Sequence, residues 1–182
     1  RISPSAKLTV SYPNPELDEP ICYNEKIEQD ERIEWPFGYG LSYTQFSYGN
    51  LNMVKECPTD NDAVELTFSL TNVGKMKADE VAQIYLSPTE KKQQIRPIQL
   101  QGFARVTLAG KETKTVGIKL YTEQFGYYSN NGKRQWNVDP GKYEVKVASS
   151  SQDIRLKQTI VLKGKKITKP LREHYFSVAT VK

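Results

Sequence analysis

The sequence predicts an all-β sandwich of about seven strands, and three observations carry that prediction. From residue 42 onward, apolar and polar side chains alternate in one stretch after another. Asn, Asp, Pro and Gly clusters interrupt these stretches at sandwich-like spacing. No segment holds a convincing helical period.

Taken in chain order, Tyr43 to Leu51 opens the series. "VELTFSLTNVG" then sets Val64, Leu66, Phe68 and Leu70 against Glu65, Thr67, Ser69 and Thr71, a half-buried strand ended by an Asn72–Gly74 turn. "DEVAQIYLSP" is a strand stopped by Pro88, and "IQLQGFARVTLAG" is another with a bend at Gly102. Ala109-Gly110 turns into "ETKTVGIKL". Asp139-Pro140-Gly141 turns into a strand whose Tyr143, Val145 and Val147 share one face. "DIRLKQTIVLKG" closes the set with Ile154, Leu156, Ile160 and Leu162.

The ends read differently. Residues 1–36 carry a charge balance of −4 against +9 for the remainder, and beyond "AKLTVSYP" they are acidic and broken by proline. A lone strand cannot bury its own faces, so residues 1–35 are expected to belong to a preceding domain and its linker. With no initiator Met and no apolar leader, the 182 residues read as a piece of a longer protein. The sandwich is expected over 36–163 and a basic tail over 164–182, whose "HYFSVATV" reads as an added edge strand or a contact with the missing parent. No apolar run is long enough to span a membrane. Cys22 and Cys57 are too few for a disulfide framework and leave open a single bridge or two thiols.

Catalytic constellations are mostly missing. His174 is the sole histidine, which rules out a His-pair metal site, and no Gly-x-Ser-x-Gly elbow accompanies it. No phosphate-binding glycine loop is present, and neither a cofactor nor a metal is expected. Asp60/Asp62 and Asp79/Glu80 are carboxylate pairs of the kind glycoside hydrolysis uses, but they read as turn residues and a solvated strand edge. Lys114, Lys119 and Lys146 are scattered along strands that look polar-out. Only Lys163 to Arg172 clusters, without interleaved aromatics, so a nucleic-acid partner is not expected. Tyr127, Tyr128 and Trp136 are candidate sugar contacts, because aromatic faces suit sugar rings, although at least one of the three is expected in the buried core.

The stretch "EWPFGYGLSYTQFSYGNL" sets glycines among bulky rings. Pro36 restricts its neighbour, while Gly38 and Gly40 permit unusual backbone angles or close approach. That combination describes a tightly packed domain entry wedged against another surface. An ordinary strand-entry loop explains it equally well on physics alone.

"PFGYGLSYTQF" resembles the opening of the C-terminal fibronectin type III-like domain of glycoside hydrolase family 3 enzymes, the β-glucosidases and their relatives. The resemblance continues in order through "LTNVGKMKADEVAQIYLS", "RPIQLQGFARVTLAGKETKTV" and "WNVDPGKYEVKVASSSQDIRL", covering about residues 35 to 160. "AKLTVSYP" and "ICYNEK" look like the end of the family's middle α/β domain. In "LAGKET", Lys111 departs from the family, which often has Glu after Gly.

The resemblance implies a parent that hydrolyses terminal β-linked sugars with retention, outside the cell or in the periplasm. The form "PFGYGLSYT" leans toward a glucosidase rather than a xylosidase. In the family, the nucleophilic Asp lies in an N-terminal barrel and the acid/base usually in the middle domain. Neither motif is present here, so no catalytic residue is carried over. The expected role is a non-catalytic brace for the barrel and α/β sandwich domains of the parent chain. Trp35, Phe37, Gly38, Tyr39, Gly40, Leu41 and Tyr43 would form the structural seam. A carbohydrate-binding module for poly- or oligosaccharide, or a cell-surface interaction domain, is the rival expectation.

Overall fold

A computed structural model describes residues 2–16, 22–23, 31–90, 95–129 and 134–182. Two antiparallel sheets face each other, as the alternation predicts. One has four strands: β3 (Phe46–Met53), β5 (Ala63–Asn72), β8 (Thr113–Tyr121) and β14 (Val178–Val181), in the order β14-β8-β5-β3. The other has five, in the order β4-β12-β11-β6-β7. Its members are β4 (Glu56–Pro58), β6 (Ala78–Pro88), β7 (Gln99–Leu108), β11 (Gly141–Ala148) and β12 (Ile154–Lys163). Only β4 runs parallel to its neighbour, β12.

Between the sheets lies a single core. Val64, Leu66, Phe68 and Leu70 of β5 meet Val116, Ile118 and Leu120 of β8, and opposite them stand Tyr143, Val145 and Val147 of β11. The period of two in β5 is therefore the pleat itself, with alternate side chains buried and wet. The expected bend in β7 is a bulge: Ile84 pairs with Gly102 and Tyr85 with Leu100, leaving Gln101 as the extra residue. Ser177 packs so closely over Gly102 that a Cβ there would lie 2.3 Å from its Oγ.

β6 departs from the half-buried pattern, because both of its faces are covered. Ala82, Ile84 and Leu86 point into the sandwich, while Tyr85 on the other face forms a second, smaller core with Ile98 and Ala148. Tyr23 and Phe37 from the N-terminal region roof this second core. Lys146, expected to be solvated, shares that face and is only 3% exposed. The Lys146 ammonium lies 3.3 Å from the Glu144 carboxylate, yet burial outweighs the pairing and holds its pKa below the usual lysine value.

Three further elements follow the same physics without a strong sequence signal. β9 (Tyr127–Ser129), β10 (Gln135–Val138) and β13 (Ile167–Lys169) form a small sheet in the order β13-β10-β9. The segment 164–182 is thus paired at both ends, since β14 adds to β8 as an edge strand. Of "AKLTVSYP", only β1 (Tyr12–Pro13) is a strand, paired with β2 (Ile33–Trp35). Cys22 and Cys57 are free thiols.

Asn72 anchors the turn that the sequence places at 72–74. Its buried amide donates to the Met76 and Leu108 carbonyls and accepts from the Thr44 hydroxyl at 2.6 Å and the Gly74 N–H at 3.1 Å. Asn72→Ala is expected to cost about 3 kcal/mol, because it orphans several buried partners at once. The urea midpoint should fall with the m-value unchanged.

Lys146→Met is expected to stabilise by about 1 kcal/mol at neutral pH, since a methionine needs no desolvation. A lysine with a lowered folded pKa makes stability rise with pH from that pKa up to its unfolded value of about 10.4. The variant should lose this rise in a pH series of thermal melts.

Candidate functional site

The glycine-aromatic stretch turns at Phe37–Gly38, where Tyr39 N–H donates to Pro36 O at 3.0 Å, and runs between the sandwich and the chain's own N-terminal residues. Backbone bonds hold it on one side: Gly38 N–H donates to Leu8 O and Leu8 N–H donates to Tyr39 O, each at 2.8 Å. The Ser11 hydroxyl accepts from Phe37 N–H at 3.2 Å and the Ser3 hydroxyl accepts from Tyr43 N–H at 3.0 Å. On the sandwich side, Ser151 N–H donates to Phe37 O at 2.9 Å. The Gln83 amide donates to Gly38 O at 3.0 Å and to Ser149 O at 2.7 Å, and accepts from the Tyr85 hydroxyl at 2.6 Å.

Both glycines are required by their surroundings. Gly38 has φ +78°, and a Cβ there would fall 2.0 Å from the Gln83 carbonyl oxygen. A Cβ on Gly40 would fall 2.4 Å from the backbone oxygen of Ala6. Gly38 thus uses an unusual backbone angle as well as close approach, Gly40 close approach alone, and the partners are Gln83 and residues 6–8.

Beyond Gly38 the segment has two faces. Gly40, Ser42 and Thr44 line a cleft of about 1210 Å³, which is also bounded by Trp35, Tyr39, β3 and residues 149–155. Leu41 and Tyr43 do not line it, and they are 67% and 65% exposed. At the cleft floor the Lys7 ammonium lies 2.9 Å from buried Glu80, and the Tyr48 hydroxyl donates to the same carboxylate at 3.2 Å. Burial first, and then the Glu80 charge, push the Tyr48 phenol far above its usual range. Burial would raise Asp153 too, but bonds from the Arg155 guanidinium and the Ser149 hydroxyl hold its carboxyl below the ordinary value.

The seven seam residues thus separate. Phe37 stacks on Tyr23 with ring centroids 4.2 Å apart and belongs to the second core. Gly38 and Gly40 take the tight backbone contacts. Trp35 and Tyr39, 4.7 Å apart, form a cleft wall, and Leu41 and Tyr43 face outward.

The three candidate sugar contacts do not form an open platform. Trp136 is 8% exposed, its indole N–H donates to Glu123 O at 2.8 Å, and the Arg172 guanidinium covers its ring. Tyr127 donates to Asp139 at 3.1 Å, leaving Tyr128 as the exposed member.

Each carboxylate pair supplies an ion pair: Asp62 with Lys119 at 2.9 Å, Asp79 with Arg105 at 2.5 Å, and Glu80 with Lys7. Glu80 corrects the reading of a solvated strand edge. It sits at the inward parity of β6 with Ala78, Ala82 and Ile84, and an acid at that parity demands a partner. That parity was the available signal for the Lys7 contact.

His174 is structural. It stacks on Tyr121 at 3.7 Å, and its Nδ1 lies 2.6 Å from a Glu123 oxygen. Glu123, Glu173 and His174 gather ligand-type atoms within 4.8 Å of one another. The Glu123 carboxylate, however, already accepts the Glu173 and His174 amides and has Lys169 at 3.7 Å. That group fastens the C-terminal segment rather than offering an open coordination site. Burial would raise the Glu123 pKa, but the two backbone amides and the His174 side chain outweigh it and lower it.

Residues 80–151 match the model of the fibronectin type III-like domain. They are a fibronectin type III-like domain. The chain is 31% identical over 179 residues to a thermostable β-glucosidase B of Acetivibrio thermocellus, covering 87% of this chain and 23% of that protein. It is 32% identical to a β-xylosidase of Formosa agariphila, covering 86% and 23%. The crystal structure of a glycoside hydrolase family 3 β-glucosidase from Bifidobacterium adolescentis superposes with a TM-score of 0.75 at 29% identity, covering 88% of this chain and 26% of that one. The match falls on the C-terminal portion of these family 3 relatives. The chain spans about a quarter of their length, so in them the fibronectin type III-like domain is one part of a larger protein. No helix among the described residues is long and apolar enough to cross a membrane.

Gly40→Val is expected to lift residues 2–8 off the segment without unfolding the fibronectin type III-like domain. In hydrogen exchange, the Leu8 amide should lose protection while Leu66 and Ile118 keep theirs. Equal loss at all three would show that the contact supports the sandwich itself.

Proposed function

We propose that this chain is the non-catalytic C-terminal brace of a family 3 β-glycosidase that hydrolyses terminal β-linked sugars with retention. The observation that carries the reading is the pair Leu41 and Tyr43. Two large apolar side chains stand mostly exposed on a segment whose backbone is locked on both sides. A rigid segment that presents apolar side chains outward is the form of a docking seam. Trp35, Phe37, Gly38, Tyr39 and Gly40 hold that segment in place, and residues 1–35 are the exit of the preceding α/β domain.

The partners are then the barrel and α/β domains of the parent chain, which would supply both catalytic carboxylates. A β-glucosidase and a β-xylosidase are matched about equally well over this portion, so the sugar would be selected in the other domains. Periplasmic or extracellular action accords with that reading.

The coding frame upstream of Arg1 should encode a barrel and an α/β domain; a frame that starts near Arg1 overturns the brace. In the parent protein, Leu41→Ser combined with Tyr43→Ala should lower the melting temperature of the catalytic domains by about 5 °C. The sandwich transition should stay where it is. Equal shifts in both transitions, or none, would count against the seam.

A further inference from the structure

The cleft behind the seam has a chemistry of its own. Two aromatic side chains, Trp35 and Tyr39, stand together on one wall, and Trp35 is 43% exposed. Around them the lining alternates donors and acceptors: Gln45, Ser47, Gln152, Asp153 and Arg155 on the sandwich side, with Glu31 and Glu34 on the other.

Charge decides what such a cleft accepts. Its two cations are both engaged, Lys7 with Glu80 at 2.9 Å and Arg155 with Asp153 at 2.6 Å. Among the described residues that line the cleft, four carboxylates face those two cations, so an anion finds no free positive partner. A purely apolar ligand would strand the lining amides, hydroxyls and carboxylates without partners. A cation would use the acceptors but would make no use of the amide donors of Gln45 and Gln152. A neutral ligand rich in hydroxyls answers both, and its ring faces can lie against the indole and the phenol.

The volume, about 1210 Å³, exceeds that of a site for one small molecule and suits a chain of several rings. We propose that the cleft between Trp35–Tyr39 and the β3/149–155 edge binds a neutral oligosaccharide, with Trp35 as the stacking platform. Arg155, Asp153 and Glu34 would bridge its hydroxyls. This site is separate from the seam, because Leu41 and Tyr43 point to the other side of the segment. It also differs from the platform expected at Tyr127, Tyr128 and Trp136, where Trp136 is buried under Arg172 and Tyr127 is engaged by Asp139.

The sequence contains two tryptophans, and Trp136 is buried, so Trp35 fluorescence reports on the cleft. The experiment titrates the chain with a β-linked gluco-oligosaccharide and a xylo-oligosaccharide up to about 10 mM, with calorimetry alongside. A saturable change that is insensitive to salt is expected. In calorimetry, Trp35→Ala should bind about tenfold more weakly, the loss of one stacked ring. Glu34→Gln, which perturbs folding least, should weaken binding a few-fold, and Tyr43→Ala should leave it unchanged. Circular dichroism checks that each variant is folded. Absence of binding over that range, or undiminished binding by Trp35→Ala and Glu34→Gln, overturns the proposal. Salt-sensitive binding of a lysine-rich peptide in place of the sugars overturns it as well, and so does a Tyr43→Ala effect as large as that of Trp35→Ala.

Discussion

One buried amide couples the two halves of this chain. Gln83 sits on the outer face of the five-stranded sheet, nearly sealed from water, where an unpaired amide would be costly. Its donors are met by the backbone oxygens of Gly38 and Ser149, and its acceptor by the Tyr85 hydroxyl. The sheet face therefore needs the glycine segment to be in place. The segment in turn needs Gly38, since any side chain there would occupy the space the amide fills. Burial of Tyr85 beneath Tyr23 and Phe37, and of Lys146 on the same face, becomes intelligible once this face is closed.

Closure on that face also creates the outward surfaces. With Gly38 and Tyr39 paired to Leu8, the chain leaves the contact as an irregular segment that bends at Tyr43–Thr44 before β3 begins. Tyr39, Gly40, Ser42 and Thr44 turn to the polar cleft, whereas Leu41 and Tyr43 stand out to solvent. The proposed brace and the proposed ligand cleft would thus share one short segment without sharing side chains at their points of contact.

At the other end of the chain, a second clasp operates by different means. β13 joins the small sheet and β14 joins β8, while the residues between them are fastened by side chains. Arg172 lies over both Trp136 and Tyr175, at 5.1 and 5.3 Å, and His174 is held between Tyr121 and Glu123. The basic character of this stretch serves contacts to aromatic rings and a buried carboxylate.

The sequence by itself determined the sandwich, because a two-residue period in β5, β8 and β11 is a local property of the pleat and needs no knowledge of neighbours. It also determined the turn at Asn72–Gly74 and the bend near Gly102, since these rest on single-residue backbone preferences, whereas at Gly38 and Gly40 it only permitted a close approach. Only the tertiary structure decided what those glycines approach, why β6 is buried on both faces, and that Trp136 and Lys146 lie inside. Each of these depends on which distant segment covers a face. Lys7 reaches Glu80 and Ser149, and Leu8 reaches Gly38 and Tyr39, across long stretches of chain, and periodicity carries no information about such pairings.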